Sequence, residues 1–330
     1  MAELLGFRDS SVYFTSGGTE ANNTAVRSAA CRTDRRQIIV SAQEHSSVLS
    51  PALSLRAAGF TVELIYPDRC GRIDPNDLAA AAGRDTALIC VQAANNETGV
   101  VQDIEAIAAV AHSVGALYHC DAVQSFGHAD MPLRCADTVS VSAHKFGGPK
   151  GVGCLAVRAG LRPEPLITGG GQEFGLRSGT ENVPGIAGMA LAARLAYGEL
   201  DRESARQREL IGLLVGALEP DIPGLRINSG DALRLPGIIS LGFPGISGEE
   251  LLTRLDSAGI CVSVGSACAA GDREPSHVLT AMGQSRELAT EAVRISVGRL
   301  TTREEILTAA AKISGTVHLI KDNRGGELCR

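Results

Sequence analysis

Along the first half of the chain, short apolar and β-branched runs alternate with longer Ala-rich stretches. The runs fall at 37–41 (QIIVS), 61–65 (TVELI), 86–91 (TALICV), 116–120 (ALYHC), 138–142 (TVSVS) and 153–157 (GCLAV). They are apolar throughout rather than alternating in polarity, the pattern of strands covered on both faces. Helical spacing occupies 18–30, 46–58, 75–82, 102–114 and 182–218. Strands alternating with helices of this length predict βαβ units. The fold class is therefore α/β, with a large, mostly parallel sheet and helices on both faces.

The texture changes after the long helical stretch. Segment 223–241 reads as turn, strand, turn, strand. A helix is predicted at 248–258, a strand at 259–263 and a Gly/Ser/Ala-rich loop at 264–275. A further helix, a strand at 292–297 and a last helix at 302–319 follow, and the charged tail from Lys321 is expected to fray. These elements predict a large domain over 1–200 and a smaller α+β C-terminal domain over 201–330.

Composition narrows the functional classes. A chain of 330 residues can bury two cores. The net charge is −6 with no basic stripe, which argues for a small-molecule substrate and against nucleic acid. No apolar run reaches the length of a membrane span, and the first residues carry no secretory signal. The expectation is a cytoplasmic protein with no membrane partner. Nine cysteines, an odd number with no C-x-x-C pair, argue against a disulfide framework and zinc motifs, and no metal site is expected. Cys90, Cys120 and Cys154 lie in apolar runs, as small core residues do. Lysines number only four among 31 basic residues, so a mechanism that needs an amine has few candidates.

Six places carry candidate chemistry, and each has an ordinary structural alternative. Lys145, in SAHKFGGPKG (142–151), follows a strand end, where open α/β sheets place ligands. It can form a Schiff base, but most lysines are solvated surface groups. Asp121 ends another strand, where a carboxylate can keep a pyridinium nitrogen protonated or simply cap a turn. SGGTE (16–20) opens a helix, as a phosphate turn or an ordinary N-cap. His45, in EHSS (44–47), could stack on a flat cofactor or cap the next helix. Cys268 sits among Gly, Ser and Ala, where an exposed thiol can act as a nucleophile. Arg294, in VRISVGR (293–299), could take a substrate carboxylate or point at water. None decides the case alone; their order along the chain says more.

That order resembles the cysteine desulfurases of the NifS/IscS type, in the class V branch of the fold type I pyridoxal-phosphate (PLP) enzymes. The matching stretches are FTSGGTEANN (14–23), EHSSV (44–48), NNETGVVQDI (95–104), YHCDAVQSFG (118–127), SAHKFGGPKG (142–151), GGGQEFGLRSGT (169–180), VGSACAAGDREPSHVL (264–279) and VRISVGR (293–299). The resemblance implies the PLP-dependent transferase fold, PLP held as a Schiff base on Lys145, Asp121 on the ring nitrogen and Gln124 on the phenolic oxygen. It implies that His45 stacks on the ring, and that Gly18, Thr19, Ser142 and His144 hold the phosphate. Thr180 would reach the phosphate of the partner in a homodimer, and Asn96 and Arg294 would bind the substrate carboxylate. Cys268 would take sulfur from L-cysteine, leaving alanine and a persulfide for a sulfur-acceptor protein such as an iron–sulfur scaffold. The loop around Cys268 resembles the longer, mobile kind in the family.

Three features depart from that pattern. Members begin with an arm bearing Ala-Thr-Thr, whereas the phosphate turn here starts sixteen residues in. Val264 stands where a serine is usual, and the C-terminus is shorter than in members that dock a cluster scaffold. A missing arm leads to the expectation that PLP binds while cysteine turns over slowly. Two other readings compete: a selenocysteine lyase or related β-eliminating PLP enzyme, which need not depend on Cys268, and a non-catalytic truncated paralogue that acts as a binding partner.

Overall fold

The computed structural model describes residues 1–8, 11–31, 34–265 and 275–327, with side chains as far as 323. Two compact units divide the chain. The first comprises Met1–Pro67, Arg72–Asn95 and Val101–Leu200; the second comprises Asp68–Gly71, Asn96–Val100 and Asp201–Arg330.

The first unit contains α1 (Ala2–Leu5), β1 (Val12–Thr15), α2 (Gly18–Cys31), β2 (Gln37–Ser41), α3 (Ser46–Ser54), β3 (Thr61–Ile65), α4 (Pro75–Ala81), β4 (Thr86–Cys90), α5 (Ile104–Ser113), β5 (Leu117–Asp121), β6 (Thr138–Ser142), β7 (Gly153–Val157) and α6 (Val183–Gly198). Its seven strands form one sheet in the order β1-β7-β6-β5-β4-β2-β3. From β3 through β6 every neighbouring pair is parallel, and β7 runs antiparallel to β6 and to β1.

Side-chain alternation builds two apolar layers. Ile38 and Val40 of β2 and Leu88 and Cys90 of β4 pack with Val26 and Ala29 of α2 and Val48 and Ala52 of α3. Ile39 and Ile89 turn the other way, onto Leu78 of α4, Ile104 and Ile107 of α5, and Met189 and Ala193 of α6. Both faces are therefore covered, which is why the strand sequences lack polar alternation. Cys90, Cys120 and Cys154 are fully buried.

The second unit holds α7 (Leu200–Leu218), β8 (Arg226–Ile227), β9 (Ile238–Gly242), α8 (Gly248–Ser257), α9 (His277–Ala281), α10 (Arg286–Thr290), β10 (Ala292–Ser296) and α11 (Arg303–Glu327). A three-stranded antiparallel sheet, β10-β9-β8, packs Ile239, Leu241, Val293 and Ile295 against Leu214 of α7, Leu251 of α8 and Ile313 of α11.

The elements depart from the sequence pattern in several places. The stretch 182–218 is two helices, broken at Gly198 and Glu199, where glycine weakens the helix and Asp201 and Glu203 suit a new N-terminus. Residues 46–58 end as a 3₁₀ turn at Leu55–Ala58, stopped by Gly59 at φ 84°. Residues 259–263 do not form a strand: Gly259 is left-handed, and only Ser263 bridges, to Arg294. The last helix runs on to Glu327, past the expected end at 319. Among the described residues, no helix is long and apolar enough to cross a membrane.

Gly153 ties the sheet to the turn that opens α2. It pairs with Thr15 on one side and Ser142 on the other. A Cβ there would lie 2.5 Å from the Val141 carbonyl oxygen and 2.7 Å from Gly17 Cα, both backbone atoms with little room to yield. Gly153→Ala is therefore expected to destabilise the protein by about 1–3 kcal/mol, read as a lower urea midpoint. An unchanged midpoint would show that the turn before α2 moves aside.

Candidate active site

The carboxyl ends of β2, β5 and β6 and the start of α2 carry the residues that the motifs single out. Parallel strands end on one edge of a sheet, the place where α/β folds bind ligands. Asp121 is the last residue of β5 and is 7% exposed. Its Oδ1 accepts the Val123 N–H at 2.9 Å, and its Oδ2 accepts Asn22 Nδ2–H at 2.7 Å. Burial pushes this carboxyl above its ordinary range, while those two donors, the His45 ring and the Lys145 ammonium act against the rise.

His45 does cap α3. Its Nδ1 accepts the Ser47 N–H at 3.1 Å and lies 2.7 Å from Ser47 Oγ. The cap fixes the orientation of a half-buried ring, so the capping and cofactor readings are compatible. Asn22 Nδ2 also donates to Ser47 Oγ at 2.8 Å, which ties this cap to α2.

Ser142 ends β6, and its Oγ lies 2.9 Å from His144 Nδ1. Lys145 follows in a 3₁₀ turn, Ala143–Phe146, closed by Gly147 at φ 89°. Its carbonyl accepts His128 Nε2–H at 2.8 Å, which holds the backbone while the side chain stays exposed. Burial, with Lys145 and Lys150 nearby, lowers the His144 pKa and favours its neutral form.

The turn before α2 is narrow. A Cβ on Gly18 would lie 2.6 Å from Val123 Cγ2. Glu20 Oε2 accepts the Ser16 N–H at 2.9 Å, and its carboxylate pairs with Arg177 at 3.0 Å. Thr19 is exposed in the first turn of α2, where the leading N–H groups have no helical acceptor. Gln124 is half-buried just beyond Asp121, and Thr180 is exposed.

Asn96 and Arg294 belong to the second unit and meet there. Arg294 Nη1 donates to the Asn96 carbonyl at 2.8 Å. Its Nε is buried without a hydrogen-bond partner among the described residues. The Arg294 backbone also bridges Ser263. Gly265 would carry a Cβ 2.7 Å from Ser276 Cβ, and Ser276 Oγ donates to Glu97 Oε2. The ends of the segment that contains Cys268 are thus fastened in this unit, while Cys268 itself lies outside the described residues.

The sequence motif of the aminotransferase class-V family ("Aminotransferase class-V") matches residues 1–308. "Cysteine desulfurase IscS" of Dictyoglomus turgidum is 41% identical over 93% of this chain and 79% of its own length. "Cysteine desulfurase" of Cereibacter sphaeroides is 45% identical over 92% of this chain and 79% of its own length. The solved structure of a "NifS-like protein" superposes with a TM-score of 0.89 at 37% identity, covering 96% of this chain and 85% of that one. The chain belongs to the aminotransferase class-V family, among its cysteine desulfurases.

A PLP cofactor, typical of that family, suits the residues present. The glycine turn is one that a Cβ would fill, and the hydroxyls of Thr19 and Ser142, His144 and the start of a 14-residue helix form a donor set for a phosphate. A buried carboxylate at the strand end suits a pyridinium nitrogen.

The motifs left several site residues unnoticed. Asn22 and His119 are fully packed polar residues that bond to each other at 3.0 Å. Glu44 is 1% exposed, with Oε1 accepting the Gln92 N–H at 2.7 Å. Burial and the nearby Asp121 charge push its carboxyl well above the usual range. One signal was available: His119 and Asp121 stand two apart on one strand and so share a face.

These groups predict opposite pH effects on stability. Burial lowers His119 from 6.5 to about 4, so the unfolded chain takes up a proton that the folded chain refuses. That contribution is lost as pH falls from about 6.5 toward 4, at roughly 1.4 kcal/mol per pH unit for one proton. The raised carboxyl of Glu44 acts the other way: its contribution is present at low pH and lost as pH rises through the raised value. In urea unfolding without cofactor, His119→Gln should lose stability less steeply than wild type between pH 6.5 and 5. Glu44→Gln should lose it more steeply on the acid side. Identical profiles for wild type and His119→Gln would refute the buried neutral imidazole.

Proposed function

We propose that the chain is a PLP-dependent cysteine desulfurase that converts L-cysteine to L-alanine and passes the sulfur through Cys268 to an acceptor protein. The observation that carries this reading is the buried Asp121 carboxylate at the end of β5, with Lys145 just past the end of the neighbouring β6, in a chain of this family. PLP supplies an electron sink for the substrate α-carbon.

The protein's own groups do the rest. Lys145 holds the cofactor and, once displaced by substrate, takes the α-proton on its amine. Asp121 keeps a negative charge beside the ring nitrogen, Gln124 bonds the phenolic oxygen and His45 covers the ring. Gly18, Thr19, Ser142 and His144 hold the phosphate. Asn96 and Arg294 take the substrate carboxylate, and an Arg294 Nε without a partner among the described residues supports a planar two-point contact. The Cys268 thiolate attacks the substrate sulfur: the new S–S bond forms as the C–S bond breaks. The C–S electron pair stays on the β-carbon, which takes a proton, and Lys145 returns the α-proton to the α-carbon, giving alanine. The persulfide then serves an acceptor, such as an iron–sulfur scaffold.

Lys145→Ala is expected to lose the cofactor that borohydride can fix, and to lower alanine formation by about a hundredfold or more. Cys268→Ser should keep the cofactor spectrum but make no alanine from cysteine. Normal turnover by Cys268→Ser would favour a β-eliminating lyase instead.

The chain also acts as a homodimer in this reading. Phe174 is 82% exposed, and Val183, Leu191 and Leu195 are at least half exposed in the same unit. Glu173 and Phe174 both sit at positive φ, 50° and 55°, a conformation that costs about 1–3 kcal/mol per residue and persists where the surroundings impose it. An apolar surface of this kind suits a second copy. Sedimentation should show a dimer at micromolar concentration, and Phe174→Glu should shift it toward monomer. A PLP-loaded monomer in the wild type would overturn the dimer.

A further inference from the structure

A chain of buried polar groups runs beneath the strand ends. Asn22, on α2, is 1% exposed, and His119, on β5, is 0% exposed. Asn22 Nδ2 gives its two hydrogens to Asp121 Oδ2 at 2.7 Å and Ser47 Oγ at 2.8 Å. Its Oδ1 lies 3.0 Å from His119 Nε2, and His119 Nδ1 lies 2.9 Å from Thr138 Oγ1.

This arrangement has one consistent sense. Turning the amide over would set its oxygen against the Asp121 carboxylate, so the amide hydrogens must face Asp121. The amide oxygen then faces His119, which must carry its proton on Nε2. The Thr138 hydroxyl donates to Nδ1. Thr138, His119, Asn22 and Asp121 thus donate in one direction, ending on the carboxylate. Val123 N–H and Asn22 Nδ2–H occupy one lone pair on each oxygen of Asp121, and each oxygen keeps another for a further donor.

We propose that Asn22 and His119 are positioning residues for the cofactor's ring nitrogen: His119 fixes the Asn22 amide, and the amide holds Asp121 ionised and turned to accept the ring N–H. The inference rests on the assignment of Asp121 to that nitrogen. Without the amide, a buried carboxylate loses a charge-assisted bond, and its protonated, rotatable form gains ground. The ring nitrogen then loses its counter-charge although no residue touching the cofactor has changed.

The test compares two probes, PLP and its 1-deaza analogue, in which a C–H replaces the ring nitrogen. Dissociation constants are measured by absorbance titration of the full chain stripped of cofactor, with the melting midpoint of each variant recorded. Asn22→Ala should weaken PLP about tenfold, the scale of one hydrogen bond to a charged group, and weaken the analogue less than about twofold. His119→Leu should discriminate in the same direction, and His119→Gln, which keeps a donor, should recover most of the PLP affinity. Equal weakening toward both probes would show that the amide only packs the core, and unchanged PLP affinity would also overturn the proposal. If Asn22→Ala does not fold, Asn22→Ser decides by the same comparison. Asp121→Ala separates the two layers of the argument. Should it fail to discriminate the probes, the assignment of Asp121 falls and the proposal with it. Should it discriminate while the Asn22 variants do not, the positioning role alone falls.

Discussion

A carboxylate held out of water at the end of a central strand must be met by donors, or it protonates and its charge is lost. Asp121 is in that position, in the fourth of seven strands, and much of the first unit's polar interior is arranged around it. The loop after β5 turns back so that the Val123 N–H meets one oxygen. Helix α2 supplies the Asn22 amide to the other. The oxygen of that amide meets His119, and His119 in turn meets Thr138 from β6. Three sequence-distant elements are coupled through one charge.

The same constraint explains the close packing at the start of α2. To bring Asn22 to Asp121, the helix must approach the β5 loop closely at its first turn. Gly18 leaves no Cβ to meet Val123, and Gly153 leaves none to meet Gly17. The glycines that let α2 approach also leave its first N–H groups at the strand-end edge. A donor set for an anion and the support of a carboxylate therefore come from one packing decision. His45 joins through Ser47, which takes the second hydrogen of Asn22 and caps its turn with the ring.

The second unit solves a different problem. Arg294 lies in a strand whose neighbours are apolar, and its guanidinium is held by the Asn96 carbonyl with Nε buried. Ser263 bonds the same residue's backbone, and Ser276 bonds Glu97, so both flanks of the Cys268 segment are tethered within this small core. The apolar packing of β9, β10, α8 and α11 forms the core to which these flanks are fastened.

Periodicity alone determined much of the fold. All six of the apolar runs recur as strands within one residue at each end, because a strand covered on both faces must be apolar along its whole length. The placement of Lys145, Asp121, His45 and the glycine turn at or just past strand ends was legible, because open α/β sheets gather candidate ligand groups there. The break at Gly198 and the missing strand at 259–263 were not legible, since one glycine inside a helical or apolar pattern shifts the local balance by only about 1 kcal/mol and the neighbours decide. The bond between Asn22 and His119 was hidden for a stronger reason. A polar residue in a helix or strand looks the same whether it faces water or a buried partner 97 residues away. Only the tertiary structure brings α2, β5 and β6 together, and a buried amide has a use there because the carboxylate beside it has no water to turn to.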